Sequence, residues 1–190
     1  MTVLDIRTFG DPVLREPARE VTKITDVQRR LIADMIETMR DAPGVGLAGP
    51  QVGVVERVFV WEVGERHGAV INPVIVERSD EKVVEEEGCL SLPGLLYPVE
   101  RSFSVVVEGL DENGEPVRLE ANDPEDPLLA RVCQHEIDHL DGVLFIDRIP
   151  DDMRKEALGI LRDQALGLIP TPRPGEYPQR EVEDDDEAAL

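Results

Sequence analysis

His135-Glu136-Ile137-Asp138-His139 is the stretch whose reading organises the rest of this chain. On a helix, residues four apart share a face, so both imidazoles can reach a single metal ion. Glu136 is adjacent in sequence and can aim its carboxylate at a water on that ion without itself being a ligand. A metal lowers the pKa of such a water toward about 7. A carboxylate so placed can then take a proton and return it to a leaving amine. Chance and a pair of satisfied core histidines are the bland alternatives, yet two of the chain's three histidines fall in this motif.

The helix that carries the motif is predicted to begin between Pro124 and Pro127 and to run to about Asp141, where Gly142 stops it. An earlier helix starts near Thr25 or Asp26. Thr25 and Gln28 have capping-box spacing, Val27, Leu31, Met35, Ile36 and Met39 form its apolar face, and Pro43-Gly44 ends it. Asp11-Pro12 resembles a short helix start. The β-branched runs Val54 to Val63, Ala69 to Val76 and Ser102 to Leu110 read as strands, and Asn113-Gly114 as a hairpin turn before Pro116 to Leu119. A third helix is expected from Asp151 to Leu166, its acidic first turn matching the helix dipole. From Ile169 prolines and then acidic residues dominate, which predicts an extended mobile tail over 169–190 after a catalytic domain over 1–168. The expected class is α+β: mixed or antiparallel sheets packed around a central metal-binding helix, with a C-terminal helix and a tail.

Composition narrows the partners. The chain has 190 residues, and Asp plus Glu number 41 against 20 Lys plus Arg, a net charge of −21. Nucleic acid and anionic membrane both require a basic footprint, so neither is expected as a direct partner. A soluble, self-repelling surface follows, and a monomer is expected. No apolar run approaches the roughly 20 residues that span a bilayer, and the N-terminal residues lack a secretory signal. The expected location is the cytoplasm, where Cys89 and Cys133 would not form a structural disulfide.

A catalytic metal site needs a third protein ligand and an open position. One extension of the motif places another His six residues after the second, but Phe145 stands there. A second places a Glu on a later helix, for which Glu156 is the nearest candidate. His67, between Arg66 and Gly68, reads as a solvated loop residue. Cys89, in Glu87-Gly88-Cys89-Leu90-Ser91, is the better ligand, since thiolate binds such metals strongly. Cys133 falls off the His face and reads as core. The segment Gly44-Val45-Gly46-Leu47-Ala48-Gly49-Pro50-Gln51 lets backbone approach a ligand, and the Gln51 amide could donate to an oxyanion. Three other readings stay open on residues alone: a metallopeptidase using Glu156, a structural metal site, and a metal-free hydrolase with Cys89 as nucleophile.

Taken in order, Gly44 to Gln51, Glu87 to Ser91 and Gln134 to His139 resemble the three motifs of the peptide deformylase family, a likeness covering roughly residues 3 to 165. The resemblance implies removal of the N-formyl group from the first methionine of nascent chains, releasing formate. It implies Cys89, His135 and His139 as metal ligands, Glu136 as acid/base, and Gln51 with the Leu90 backbone N–H as oxyanion donors. It also implies that the Gly46 backbone positions the peptide, and that the metal is Fe2+ with Zn2+ or Ni2+ as substitutes. Leu128 and Val132, seven and three residues before His135, would line a methionine pocket that Val45 closes. Gly49 departs from the family's second Ala and is expected to loosen the loop. From Asp151 onward 11 acidic and 5 basic residues stand where ribosome-docking relatives carry a basic helix, so only transient ribosome proximity is expected.

Overall fold

The computed structural model describes residues 2–122 and 127–177. Three α-helices, α1 (Asp26–Asp41), α2 (Leu128–Leu140) and α3 (Asp151–Ala165), accompany seven strands. The strands are β1 (Gly46–Ala48), β2 (Val58–Val63), β3 (Arg66–Arg78), β4 (Lys82–Gly88), β5 (Leu96–Ser102), β6 (Val105–Leu110) and β7 (Pro116–Ala121). Five of them form a sheet in the order β1-β2-β3-β6-β7, and β4-β5 form a separate hairpin. Every named strand pair is antiparallel, so the α+β expectation resolves to its antiparallel form.

The sheet sorts its side chains by the two-residue period of a strand. Phe59 and Trp61 of β2 face α2 in one apolar cluster, whereas Val58 and Val60 face Met35 and Met39 of α1 in another. With both faces covered, β2 can be apolar throughout rather than alternating. The α1 start follows the sequence signal: the Thr25 hydroxyl and the Gln28 side chain complete a capping box. Helix α2 is buried at every residue from Leu129 to Leu140, so its polar side chains must find partners inside the protein. Its start lies next to residues 123–126, outside the described residues. A third cluster packs α3 through Ala157 and Leu161 onto Leu92, Leu95 and the Leu144–Ile149 segment.

Several boundaries moved. Residues 54–57 precede β2 instead of belonging to it, and Ser102 ends β5 instead of starting β6. The β4–β5 hairpin was not read from the sequence. The Gly-rich segment is itself a short edge strand followed by a 3-10 turn over Gly49–Val52. Pro12–Arg15 is likewise a 3-10 turn, capped by Asp11. His67 lies on β3, exposed and paired with Glu62, instead of in a loop.

Gly49 does the opposite of loosening its loop. A Cβ there would lie 2.7 Å from the Val54 carbonyl and 2.8 Å from that of Glu56. Hydrogen closes this turn more tightly than a methyl group could. Among the described residues, no helix is long and apolar enough to cross a membrane.

Candidate metal centre

Helical spacing alone sets two of the three converging groups. His135 and His139 sit one turn apart on α2, with their Nε2 atoms 3.2 Å from each other. Cys89 follows β4 by one residue and reaches the same point, its Sγ 3.2 Å from His139 Nε2. All three ligand atoms lie within 4.8 Å of one another, and all three residues are buried. Atoms bound at about 2.0–2.3 Å to a tetrahedral metal lie roughly 3.3–3.8 Å apart, so the donor set suits one ion of the zinc or ferrous type. No other such cluster of His, Cys, Asp or Glu occurs among the described residues.

The alternatives to Cys89 fall away on position. Glu156 is exposed on α3 and interacts with Tyr97. Phe145 stacks near His135, ring centroids 6.4 Å apart. Cys133 is fully buried in the cluster between α2 and the sheet, where desolvation pushes its thiol up to about 12.

Behind the cluster lies a chain of charges, buried except for Arg148 at its outer end. His135 Nδ1 meets Glu87 Oε1 at 2.6 Å, which leaves Nε2 as the nitrogen directed at Cys89 and His139. Glu87 also receives two hydrogen bonds from Arg101, at 2.6 and 3.0 Å, and one from Arg131 at 3.0 Å. Arg101 continues to Asp138 at 2.6 Å, and Asp138 receives Arg148 at 2.6 Å. Burial opposes ionisation of Glu87, but His135 and Arg101 outweigh it and hold the carboxyl well below the usual range. For His135 burial acts downward while Glu87 and Cys89 draw it well above its ordinary value; burial and neighbouring His135 hold His139 well below.

In front of the cluster is a cavity of about 270 Å³ whose lining includes Cys89, His135, Glu136, Gln51, Leu90 and Tyr177. Val45, Gly46, Leu128 and Val132 line it as well. His139 alone among the predicted site residues is absent from the lining, 1% exposed behind the other two ligand candidates. Glu136 is buried, and its Oε2 has no hydrogen-bond partner among the described residues. Desolvation pushes its carboxyl up to about 7. A Cβ on Gly46 would collide with Glu136 Oε1, so the glycine leaves the carboxylate its room. Gln51 is fixed at one end, where its Oε1 accepts from the Ala48 N–H at 2.8 Å. That bond turns its Nε2 toward Cys89 Sγ at 3.7 Å and Ser91 Oγ at 3.3 Å.

Sequence reading missed Arg101, Arg131, Asp138 and Tyr177 as neighbours of the site. Asp138 stood in the quoted motif and Arg131 four residues before His135, which could have flagged them. Arg101 and Tyr177 carry no local signal. Tyr177 belongs to the described part of the segment expected to be a mobile tail, and it lies against the cavity.

A family model described as polypeptide deformylase matches residues 3–155. The peptide deformylase of Acidothermus cellulolyticus is 55% identical over 163 residues, covering 86% of this chain and 88% of the relative. Among solved structures, the peptide deformylase of Ehrlichia chaffeensis in complex with actinonin aligns with a TM-score of 0.81 at 38% identity, covering 86% of this chain and 98% of that one. The peptide deformylase of Thermus thermophilus aligns with a TM-score of 0.78 at 46% identity, covering 87% and 96%.

Proposed function

The chain belongs to the polypeptide deformylase family, metal-dependent hydrolases that remove the N-formyl group of newly made peptides, and we propose how its own residues carry that reaction. Cys89, His135 and His139 hold one divalent ion. The observation that carries this is the convergence of their ligand atoms within 4.8 Å beside a cavity that Glu136 also lines. We take the ion to be Fe2+, with Zn2+ or Ni2+ able to substitute. When bound, the metal supplies Lewis acidity, making water ionisable near neutral pH and polarising the formyl carbonyl.

The chain's side chains do the rest. Glu136, buried with an unpartnered oxygen, takes the proton of the attacking water and delivers it to the departing amine as the C–N bond breaks and formate leaves. Gln51 Nε2, held by the Ala48 contact, and the Leu90 backbone N–H donate to the developing oxyanion. β1 is the edge strand of its sheet, which fits the Gly46 backbone to position an extended peptide. Val45, Leu128 and Val132 enclose the methionine side chain, a role their place in the cavity lining supports.

The catalytic domain is residues 1–168, against which the described part of the following segment packs up to Tyr177; residues 178–190 of the expected tail lie outside the described residues. We take the protein to be a cytoplasmic monomer, and its strongly acidic charge favours meeting nascent chains in transient proximity to the ribosome without binding nucleic acid. Formate release from formyl-Met-Ala-Ser by anaerobically purified protein tests the reading. Wild type is expected to turn over, and Cys89→Ala to lose both its metal and its activity. A folded, metal-loaded wild type that releases no formate would overturn it, as would full metal content in Cys89→Ala.

A further inference from the structure

Composition marks residues 169–190 as a tail, yet 170–177 run back over the catalytic domain and border the cavity. Gln164 Nε2, at the end of α3, donates to the Pro93 carbonyl at 3.3 Å, and the Gly94 N–H donates to the Glu176 carbonyl at 3.1 Å. Arg173 and Glu176 close a turn between them: the Glu176 N–H donates to the Arg173 carbonyl at 3.0 Å, and Glu176 Oε2 accepts from the Arg173 N–H at 2.9 Å. Pro172 covers Gly94, where a Cβ would lie 2.8 Å from its Cγ, and Gly175 packs directly on the Ala42 carbonyl. The segment thus bridges the loop after Cys89 and the end of α1. Both adjoin the cavity, whose lining includes Pro43, Gly44 and Leu90.

Tyr177 follows these contacts and enters the cavity lining. Its ring lies on Gly88, so close that any side chain there would collide with it. Burial pushes the phenol above its ordinary value, with the charges of Cys89 and Glu136 acting in the same direction. Val45, Leu90, Leu128 and Val132 supply aliphatic lining to the same space. A strap held only to cover core would bury its aromatic among apolar side chains; here the ring covers a backbone glycine and is part of the cavity lining. With the ring in place about 270 Å³ remains, just below the range of pockets that enclose drug-sized ligands, roughly 300–1,000 Å³. Such a space suits one side chain with its formyl group.

We propose that Tyr177, held in place by the 170–176 strap, is a substrate-contacting wall of this cavity and helps to bind the formylated N-terminal residue. The proposal rests on the deformylase reading of the site and adds to it a residue from beyond the span matched by the family model, 3–155. Removing the ring opens one side of the site to water, which weakens binding of an apolar residue more than it slows the chemistry.

The full-length protein provides the test. Tyr177→Ala is expected to raise KM for formyl-Met-Ala-Ser by about tenfold, the order of one aromatic contact, with kcat changed far less. Tyr177→Phe should recover most of that loss, because the ring and not the hydroxyl makes the wall. Hydrogen exchange gives a readout apart from activity: the amides of Gly94 and Glu176 should be protected in wild type. Unchanged KM in Tyr177→Ala overturns the proposal, and so does a lowered KM, which would make the ring a plug that substrate displaces. Exchange of both amides at the rate of an unfolded chain overturns the docked strap. A wild type inactive on formyl peptides overturns the reading of the site, whereas an active one with unaltered KM in the variant overturns only the role of Tyr177.

Discussion

The two sides of the Cys89–His135–His139 cluster satisfy their polar groups in different ways. Behind it, Glu87, Arg101, Asp138 and Arg148 form a continuous run of charge-assisted hydrogen bonds that reaches His135 Nδ1. In front, Glu136 keeps an unpartnered oxygen and Gln51 turns its amide nitrogen toward sulfur, beside aliphatic side chains. Buried polar groups are normally paired, because desolvation without a partner costs about 1–3 kcal/mol or more. The contrast therefore separates positioning from chemistry. Paired charges fix where His135 sits, and on the cavity side Glu136 keeps an oxygen available to a substrate.

The largest effect is expected from breaking the cavity side. Glu136→Gln should lower kcat by about 10²–10⁴-fold, the usual worth of a positioned general acid/base. Metal content and melting temperature should hold, since burial already disfavours the charged carboxylate. A fall in bound metal, measured by elemental analysis alongside formate release, would mean that Glu136 belongs with the positioning groups.

Breaking the rear should give the reverse pattern. Glu87→Gln leaves Arg101 and Arg131 buried with less counter-charge, and breaking such a pair costs about 3–5 kcal/mol. It also weakens the orientation of His135, for which losses of about 10–100-fold in metal affinity are usual. Urea denaturation of the metal-free protein and a separate metal titration would read the two effects. If stability falls and metal affinity does not, the rear network supports the fold without tuning the centre.

The smallest expected effect lies just outside the network, where Asp147 accepts from Arg15, Arg154 and the Leu144 N–H. Burial acts to raise the Asp147 pKa, but the hydrogen bonds from Arg15 and Leu144 prevail and lower it from 3.8. A lowered folded value means the contribution is present above the unfolded pKa and is lost as pH falls below about 3.8 through the folded value. Arg15 is 41% exposed, so screening limits the pair to about 1 kcal/mol or less. Melting curves between neutral and acid pH should show that Asp147→Asn is slightly less stable near neutrality and converges with wild type in acid. A constant gap across that range would assign the contribution to shape instead of charge.

Legibility in the sequence follows the range over which each signal acts. The capping box at Thr25 and the apolar strand runs act over a few residues, and each survived into the structure with small shifts in boundary. The β4–β5 hairpin did not show, because Glu85-Glu86-Glu87 hides strand alternation and Pro98 interrupts its partner. Both strands lie in a two-stranded unit whose outer positions can be charged. Arg101 illustrates the same limit. An arginine in a polar strand reads as solvated, yet it is 5% exposed because Glu87 and Asp138 surround it.

By itself the sequence determined that two imidazoles would share one helical face with a carboxylate beside them, since four residues make about one turn. It also placed Cys89 and the Gly44–Gln51 segment as candidates by residue type, and their order along the chain supported the family resemblance. Only the tertiary structure decided that Cys89, fifty residues away, would come within 3.2 Å of His139. It alone set Glu87 against His135 and brought Tyr177 back to the cavity. Such contacts depend on how strands, helices and the closing strap pack against one another, and no local period or propensity encodes a meeting between distant segments.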